Sequence, residues 1–376
     1  VGLGLYLHLP FCPARCPYCD FFAQTYDQGQ ARRLLAGLAL HLPRLIPQAA
    51  GRSLDTVYFG GGTPAMLPSG ALARLLAAIG QAIGLEPDAE VSLEANPGAL
   101  SQGKLRGLRA AGFNRLSLGA QSFDPGRLAA LGRRHSPQDT RRAAAQAQAA
   151  GFTNLNLDLI YGLPGQTVEL AAADLEAALE LEPEHLSLYE LTLAPHTPFG
   201  RRYAKGRPPL PGEDQVAAME KQALAMLPAA GLMRYEVSNF ARPGFECRHN
   251  QSTWRGGDYL ALGPGAHGHL AGVRWAWLAD VNVYCAAVEA GGQPYAFREE
   301  LTPPQRALEL IMLGLRTTRG VELARLAAIL GAGPRRVYAG ALAELEERGW
   351  AQIGRGRLIP SPRGLAMADA AAALFA

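Results

Sequence analysis

The chain has 376 residues and a formal net charge of +3, from 36 basic and 33 acidic side chains. That balance excludes a protein built around bulk positive charge for nucleic acid, and 48% apolar residues exclude a disordered one. No apolar run is long enough to cross a bilayer, the first residues lack the order of a signal peptide, and the 5 cysteines are too clustered for a disulfide framework.

These features point to the cytoplasm with no stable membrane insertion, although residues can precede Val1. Strand-like runs are predicted at 5–9, 56–60, 91–95, 115–121, 154–161 and 186–193. Ala/Leu-rich segments of helical spacing, such as Leu34, Leu35, Leu38 and Leu42, lie between them. This alternation argues for a parallel sheet with crossover helices. Within the strands the two faces differ. Leu5, Leu7 and Leu9 leave Tyr6 and His8 on the other side. Val91, Leu93 and Ala95 leave Ser92, Glu94 and Asn96; Leu116 and Leu118 leave Ser117, Gly119 and Gln121; Leu155, Leu157 and Leu159 leave Asn156 and Asp158. A sheet covered on both faces would be apolar on both, and a closed barrel would fill its lumen with branched side chains. The expected fold is therefore α/β, an open, partial (β/α)6 barrel whose polar lumen holds a ligand. The pattern breaks near Glu190.

Pro-rich "APHTPFGRRYAKGRPPLPG" at 194–212 reads as a surface connection closing a barrel domain at 1–212. An extension at 213–300 contains a helix, one strand in "MRYEVSNFA" and the Gly-rich "GGDYLALGPGAHGHLAG". Residues 301–376 read as a mostly helical, winged-helix-like domain. Its helices fall near 303–316, 321–330 and 334–348, followed by a hairpin in "AQIGRGRLIPS" and a last helix. Thr302 and Gln305 have capping-box spacing, with Pro303 at the first helical position.

Directly after the first strand, Cys12, Cys16 and Cys19 are spaced C-x3-C-x2-C. The C-terminal end of a barrel strand is where such folds carry chemistry. Three thiolates on one loop suit an iron–sulfur cluster with one open iron, or a zinc ion completed by a distant fourth ligand. The motif, with Tyr18 before the last cysteine, resembles the radical S-adenosylmethionine (SAM) superfamily. "GGGTP" at 60–64, "EANPG" at 94–98, "FNRLSLGAQSFD" at 113–124, "LGRRH" at 131–135, "NLDLIYGLPGQT" at 156–167 and "CRHN" at 247–250 resemble one branch of it. That branch holds the oxygen-independent coproporphyrinogen III oxidases and the HemW-type haem chaperones.

The resemblance implies a 4Fe-4S cluster on Cys12, Cys16 and Cys19, with SAM on its open iron. It implies SAM contacts from Tyr6, Tyr18, Gly61, Gly62, Thr63, Glu94, Gln121, Arg133, Asp158 and Thr192. Gly61, Gly62 and Thr63 would approach the amino group, Glu94 the ribose, and Arg133 the carboxylate. The oxidases carry a further cysteine two positions after the third; here Phe21 stands there. The haem chaperones carry His-Asn-x-x-Tyr-Trp. Here His249, Asn250 and Trp254 match, with Thr253 in the tyrosine's place. The resemblance makes His249 a haem ligand and Cys247 a weaker one, while Cys285, His267 and His269 read as structural.

The implied function is a haem chaperone that binds cluster, SAM and haem and hands haem to apo-haemoproteins such as respiratory enzymes. A homodimer is compatible with it. The alternative is the oxidase, which decarboxylates coproporphyrinogen III with a 5′-deoxyadenosyl radical. A DNA-binding reading of the tail is the weakest, because Arg335, Arg336, Arg355 and Arg357 make no dense basic face.

Overall fold

The computed structural model describes residues 2–203 and 210–376. The middle of the Pro-rich connection read at 194–212 lies outside the described residues. Six parallel strands form close to where the alternation put them: β1 (Leu3–Leu9), β2 (Leu54–Gly61), β3 (Leu85–Ala95), β4 (Arg115–Gln121), β5 (Leu155–Tyr161) and β6 (His185–Glu190). The last one ends at Glu190, where the sequence pattern breaks.

Helices α1 (Gln28–His41), α2 (Ser69–Ala82), α3 (Gln102–Ala110), α4 (Pro137–Ala149) and α5 (Val168–Leu179) fall in turn between these strands. Their starts are written locally. Asp27, Ser101, Ser136 and Thr167 accept the backbone N–H of Gln30, Lys104, Asp139 and Leu170. Each such cap is worth about 1 kcal/mol. In α2, Leu72, Leu75, Leu76 and Ile79 are buried at three- and four-residue spacing.

Leu5, Leu7, Leu9, Val57, Phe59, Leu93, Leu116, Leu118, Leu155 and Leu157 are fully buried in one apolar core. Burying one such side chain is worth about 2 kcal/mol. A one-residue slip would turn a whole row of them into the lumen, so this face fixes the register. The opposite face is buried too, but polar: Thr56, Ser92, Arg115, Ser117, Asn156, His185 and Ser187. Asn156 Nδ2 donates to Ser117 Oγ (2.6 Å) and Ser187 Oγ (3.0 Å). His185 Nδ1 lies 2.6 Å from Asn156 Oδ1, and its Nε2 lies 2.7 Å from the Tyr235 hydroxyl. Asn156, Ser117, Ser187, His185 and Tyr235 thus satisfy one another at the lumen floor.

Residues 233–300 extend both edges of this sheet. On one side, β7 (Met233–Arg234) and β8 (Asn239–Ala241) form a short antiparallel pair against β6. The single strand expected in "MRYEVSNFA" is therefore two. On the other side, β9 (Asp258–Leu262) runs parallel to β1, with Leu260 opposite Leu5. This further parallel strand lies in the Gly-rich run where none was read. Antiparallel β10 (His267–Leu270), β11 (Val273–Trp277) and β12 (Tyr295–Glu300) follow it. The result is a 12-stranded sheet in the order β12-β11-β10-β9-β1-β2-β3-β4-β5-β6-β8-β7.

From Pro303 onward a second core gathers around Ile311, Leu315, Leu326, Leu345 and Leu358. Helices Pro303–Gly314, Leu323–Leu330 and Ala339–Glu347 pack with a three-stranded sheet of Val321–Glu322, Arg357–Pro360 and Ala351–Gly354. This is the winged-helix-like arrangement. It meets the barrel through backbone bonds from Val237 N to Arg316 O (2.9 Å) and from Thr318 N to Tyr235 O (3.1 Å). Among the described residues, no helix is long and apolar enough to cross a membrane.

Candidate functional site

The cysteine loop follows β1 and is held by its neighbours. Gln24 N donates to Pro10 O (2.7 Å), and Tyr26 N donates to Cys12 O (2.8 Å). Cys19 N donates to Cys16 O (3.2 Å), which turns the loop between its last two thiols. All three thiols are free and partly exposed. Burial pushes the Cys12 and Cys19 thiols up, a direction that a bound metal would reverse. Among the described residues, no three His, Cys, Asp or Glu side chains converge on a single ion-sized point.

The loop after β2 docks on the cysteine loop. Gly62 N donates to Leu9 O (3.0 Å) and Thr63 N to Phe11 O (2.8 Å), while Thr63 Oγ1 donates to Cys12 Sγ (3.6 Å). Gly61 has φ of +107°, and a Cβ there would lie 2.6 Å from the His8 ring. A Cβ on Gly62 would lie 2.7 Å from the Pro10 carbonyl carbon. Both positions require glycine.

Strand parity carries Tyr6, Glu94 and Asp158 into the lumen. Glu94 accepts the Tyr58 hydroxyl on Oε1 (2.9 Å) and Gly61 N on Oε2 (3.1 Å). Burial pushes its carboxyl up to about 7, and nearby Asp158 adds to this. Burial likewise raises Asp158, which accepts Ser117 Oγ (3.0 Å) and Asn156 Nδ2 (2.8 Å). His8 Nε2 donates to Phe22 O (2.9 Å), so its Nδ1 accepts the Tyr6 hydroxyl at 3.0 Å. Tyr18 packs on Phe199, 6.2 Å between ring centroids.

Arg133 is no ordinary surface arginine. Its Nη2 donates to Gly119 O (2.6 Å) and to Asn96 Oδ1, and its Nη1 lies 3.9 Å from Cys16 Sγ. Its Nε is buried and, among the described residues, has no partner. Asn96 also donates to Thr63 Oγ1 (2.9 Å) and so ties the arginine to the glycine loop. Parity put Asn96 on the lumen face, but its bridging role had no sequence signal. A cleft of about 250 Å³ opens beside Cys16, Asn96, Gly98 and Arg133. Gln121 departs from regular parity. It has φ of 66°, the register shifts before it, and its amide folds over Gly119. A left-handed non-glycine residue at a strand end is strain of the kind found at ligand sites. Thr192 is the exception: it is exposed, two residues past the end of β6.

These observations fit the implied cofactors. Three thiols stand on one loop, an unpaired guanidinium nitrogen suits a carboxylate, and two glycine approaches admit no side chain. Arg133 and Asn96 join the cysteine loop to the ends of β3 and β4 in one hydrogen-bonded group.

"CRHNQSTW" forms a short helix, α6 (Arg248–Trp254). Its start is capped from afar. Glu90 on β3 accepts Arg248 N (2.9 Å) and His249 N (3.2 Å). His249 points into the lumen floor, where it is 6% exposed. Its Nδ1 lies 2.8 Å from Thr56 Oγ1, and its ring stacks on Tyr58 at 5.3 Å. Burial pushes the imidazole down to about 4. Trp254 lies on another face. Five residues along a helix turn a side chain by about 140°. Trp254 lines a cleft of about 280 Å³ between α6, the β7–β8 pair and the turn at 317–319. His249 and Trp254 therefore cannot both touch one flat ligand while α6 keeps this pose. Cys247 is fully buried, its thiol 3.5 Å from Glu90 Oε1. Cys285 is buried against α1 at Gly37. His269 Nδ1 lies 3.0 Å from Gly257 O, a structural contact.

The chain is similar to known proteins over most of its length. Residues 6–178 match the family model described as the radical SAM superfamily, and 301–367 match the HemN C-terminal domain. It is 40% identical over 361 residues to the heme chaperone HemW of Mycobacterium tuberculosis (strain ATCC 25618 / H37Rv), covering 95% of this chain and 92% of that one. It is 42% identical over 270 residues to the heme chaperone HemW of Escherichia coli (strain K12), covering 71% of this chain and 70% of that one. The structure of coproporphyrinogen III oxidase (HemN) from Escherichia coli matches with a TM-score of 0.88 at 25% identity, over 100% of this chain and 90% of that chain.

Proposed function

This chain belongs to the radical SAM superfamily, in the branch that holds the HemW proteins, and on that premise we propose that it is a haem chaperone. It binds a 4Fe-4S cluster, SAM and haem, and transfers haem to apo-haemoproteins such as respiratory enzymes in the cytoplasm. The observation that carries the cofactor part is the group linking Cys12, Thr63, Asn96, Arg133 and Cys16 at the strand ends.

Cys12, Cys16 and Cys19 would hold the cluster, which when bound would supply an open coordination site for SAM. Arg133 Nε, buried and unpaired, takes the SAM carboxylate. Glu94 accepts the ribose hydroxyls, already oriented by Tyr58 and Gly61. Gly62 and Thr63 keep the amino end close to the cysteine loop. Tyr6, Tyr18, Gln121 and Asp158 shape the remaining walls; Thr192 reaches them only through a shift of the segment after β6. His249 is the proposed haem iron ligand, which requires α6 to turn its ring out of the lumen.

The oxidase reading is disfavoured by Phe21. It is 69% exposed on the cysteine loop and offers no thiol. The test is anaerobic reconstitution. The chain should carry about four irons, bind SAM and take up haem stoichiometrically, and leave coproporphyrinogen III unconverted. Protoporphyrinogen formed with turnover would overturn the assignment. His249→Ala should abolish or change the haem spectrum; an unchanged spectrum and affinity would remove the ligand role.

A further inference from the structure

The cleft beneath Trp254 carries unspent positive charge. Its walls come from three segments: Gln251, Trp254 and Arg255 at the end of α6, Tyr235 beside β7, and Thr318 and Arg319 of the C-terminal domain. Two further charged residues line it: Arg234, which is paired, and Glu246, whose carboxylate offsets part of the positive charge. Arg234 pairs with Glu220 (3.0 Å) and donates to Val237 O (2.5 Å), and Glu246 accepts Gly244 N (3.0 Å). Arg255 and Arg319 differ. Among the described residues, neither makes an ion pair with a carboxylate. The Arg255 guanidinium is bonded to the neutral amide of Gln251. Partial burial, followed by the nearby charges of Arg319 and Arg357, holds it below the ordinary arginine range, although Glu322 and Glu246 pull the other way.

Both side chains are exposed at the mouth of the cleft, and two neighbouring cations without an ion-pair partner there favour an arriving anion. Arg is the side chain suited to carboxylates, through two parallel N–H bonds. An indole beside the arginines offers a flat apolar wall. At about 280 Å³ the cleft falls just below the range of about 300–1,000 Å³ that encloses a whole small ligand. It is suited to the edge of a larger planar molecule.

We propose that this cleft seats the carboxylate edge of a porphyrin, with Arg255 and Arg319 on its propionates and Trp254 against the macrocycle. The proposal rests on the haem-binding reading but not on His249 as iron ligand. It gives the C-terminal domain a direct part in haem retention through Arg319.

The experiment titrates the full reconstituted chain with haem and with haem dimethyl ester, which keeps the iron and the ring but loses both carboxylates. The wild type should bind the ester at least tenfold more weakly than haem. Arg255→Gln/Arg319→Gln should bind haem about tenfold or more weakly, and should no longer distinguish haem from the ester. Equal affinity of the wild type for haem and ester overturns the inference while the chaperone reading stands. So does a double variant that retains the discrimination. A wild type that binds neither overturns both. The ester comparison is made on the wild type, so a folding defect in the variant cannot decide the result.

Discussion

Glu94 combines two demands that oppose each other. It receives hydrogens from Tyr58 and Gly61, as an ionised acceptor should, yet burial pushes its carboxyl up to about 7. Its folded value thus lies above the unfolded one near 4.5. Between those values the folded chain holds the proton more tightly, so Glu94 favours folding at low pH and this contribution is lost as pH rises through 7. Glu94→Gln removes that slope. From pH 5 to pH 8 the stability difference should move in the variant's favour by on the order of 3 kcal/mol, read from urea midpoints of the metal-free chain. Parallel pH curves would show that Glu94 is not strained by burial. The same variant should bind SAM at least tenfold more weakly after reconstitution. Wild-type SAM affinity should improve as pH rises from 6 to 8, because ribose hydroxyls need the ionised acceptor. An affinity unaffected by Glu94→Gln would remove the residue from the site.

The glycine loop after β2 acts at the scale of an element, because it docks one strand end on another. A Cβ on Gly62 meets backbone atoms of Pro10 and Phe11 under 3.0 Å, so one of the two loops must move. Gly62→Ala should therefore lower the iron content after reconstitution and the melting temperature together. Gly70→Ala is the control, since its nearest neighbour is the flexible Arg74 end at 3.5 Å. Equal iron content in both variants would show that the contact does not hold the cysteine loop. Elements written in local sequence were legible beforehand. The Thr302–Gln305 capping box starts the Pro303–Gly314 helix where expected. Period-two alternation identified the lumen side of Tyr6, Glu94, Asn96 and Asp158. What depends on distant partners was not legible. The α6 helix has Cys247 at its N-cap, and its capping acceptor is Glu90, far earlier in the chain. The β9 strand exists because β1 offers a parallel edge, which no neighbouring residue announces. The bulge before Gln121 and the bonds of Arg133 are likewise tertiary.

At the scale of the molecule, the buried charges of the lumen share one cation, Arg115, at its floor. Arg115 is 2% exposed and, among the described residues, has no carboxylate within ion-pair distance, and its Nε has no partner. Its charge nevertheless pulls Glu94 and Asp158 down against the burial that raises them, and it helps keep His185 and His249 neutral. The residues it influences come from β3, β5, β6 and α6, so one cation balances elements that close the barrel from both sides. Arg115→Met keeps much of the volume and removes the charge. It removes the cation that partly offsets the buried carboxylates, which should lower stability at pH 8. Without the cation, Glu94 and Asp158 take up protons more readily in the folded chain. As pH falls from 8 to 5 they neutralise, and the stability deficit relative to wild type should shrink. Melting of both chains across that range reads the effect directly. A deficit that stays constant would mean that Arg115 acts through its packing alone. One that grows toward low pH would mean that its main partners are histidines instead of carboxylates. In the expected case, the floor's charge balance is what lets the fold keep two acidic groups under the cofactor site at neutral pH.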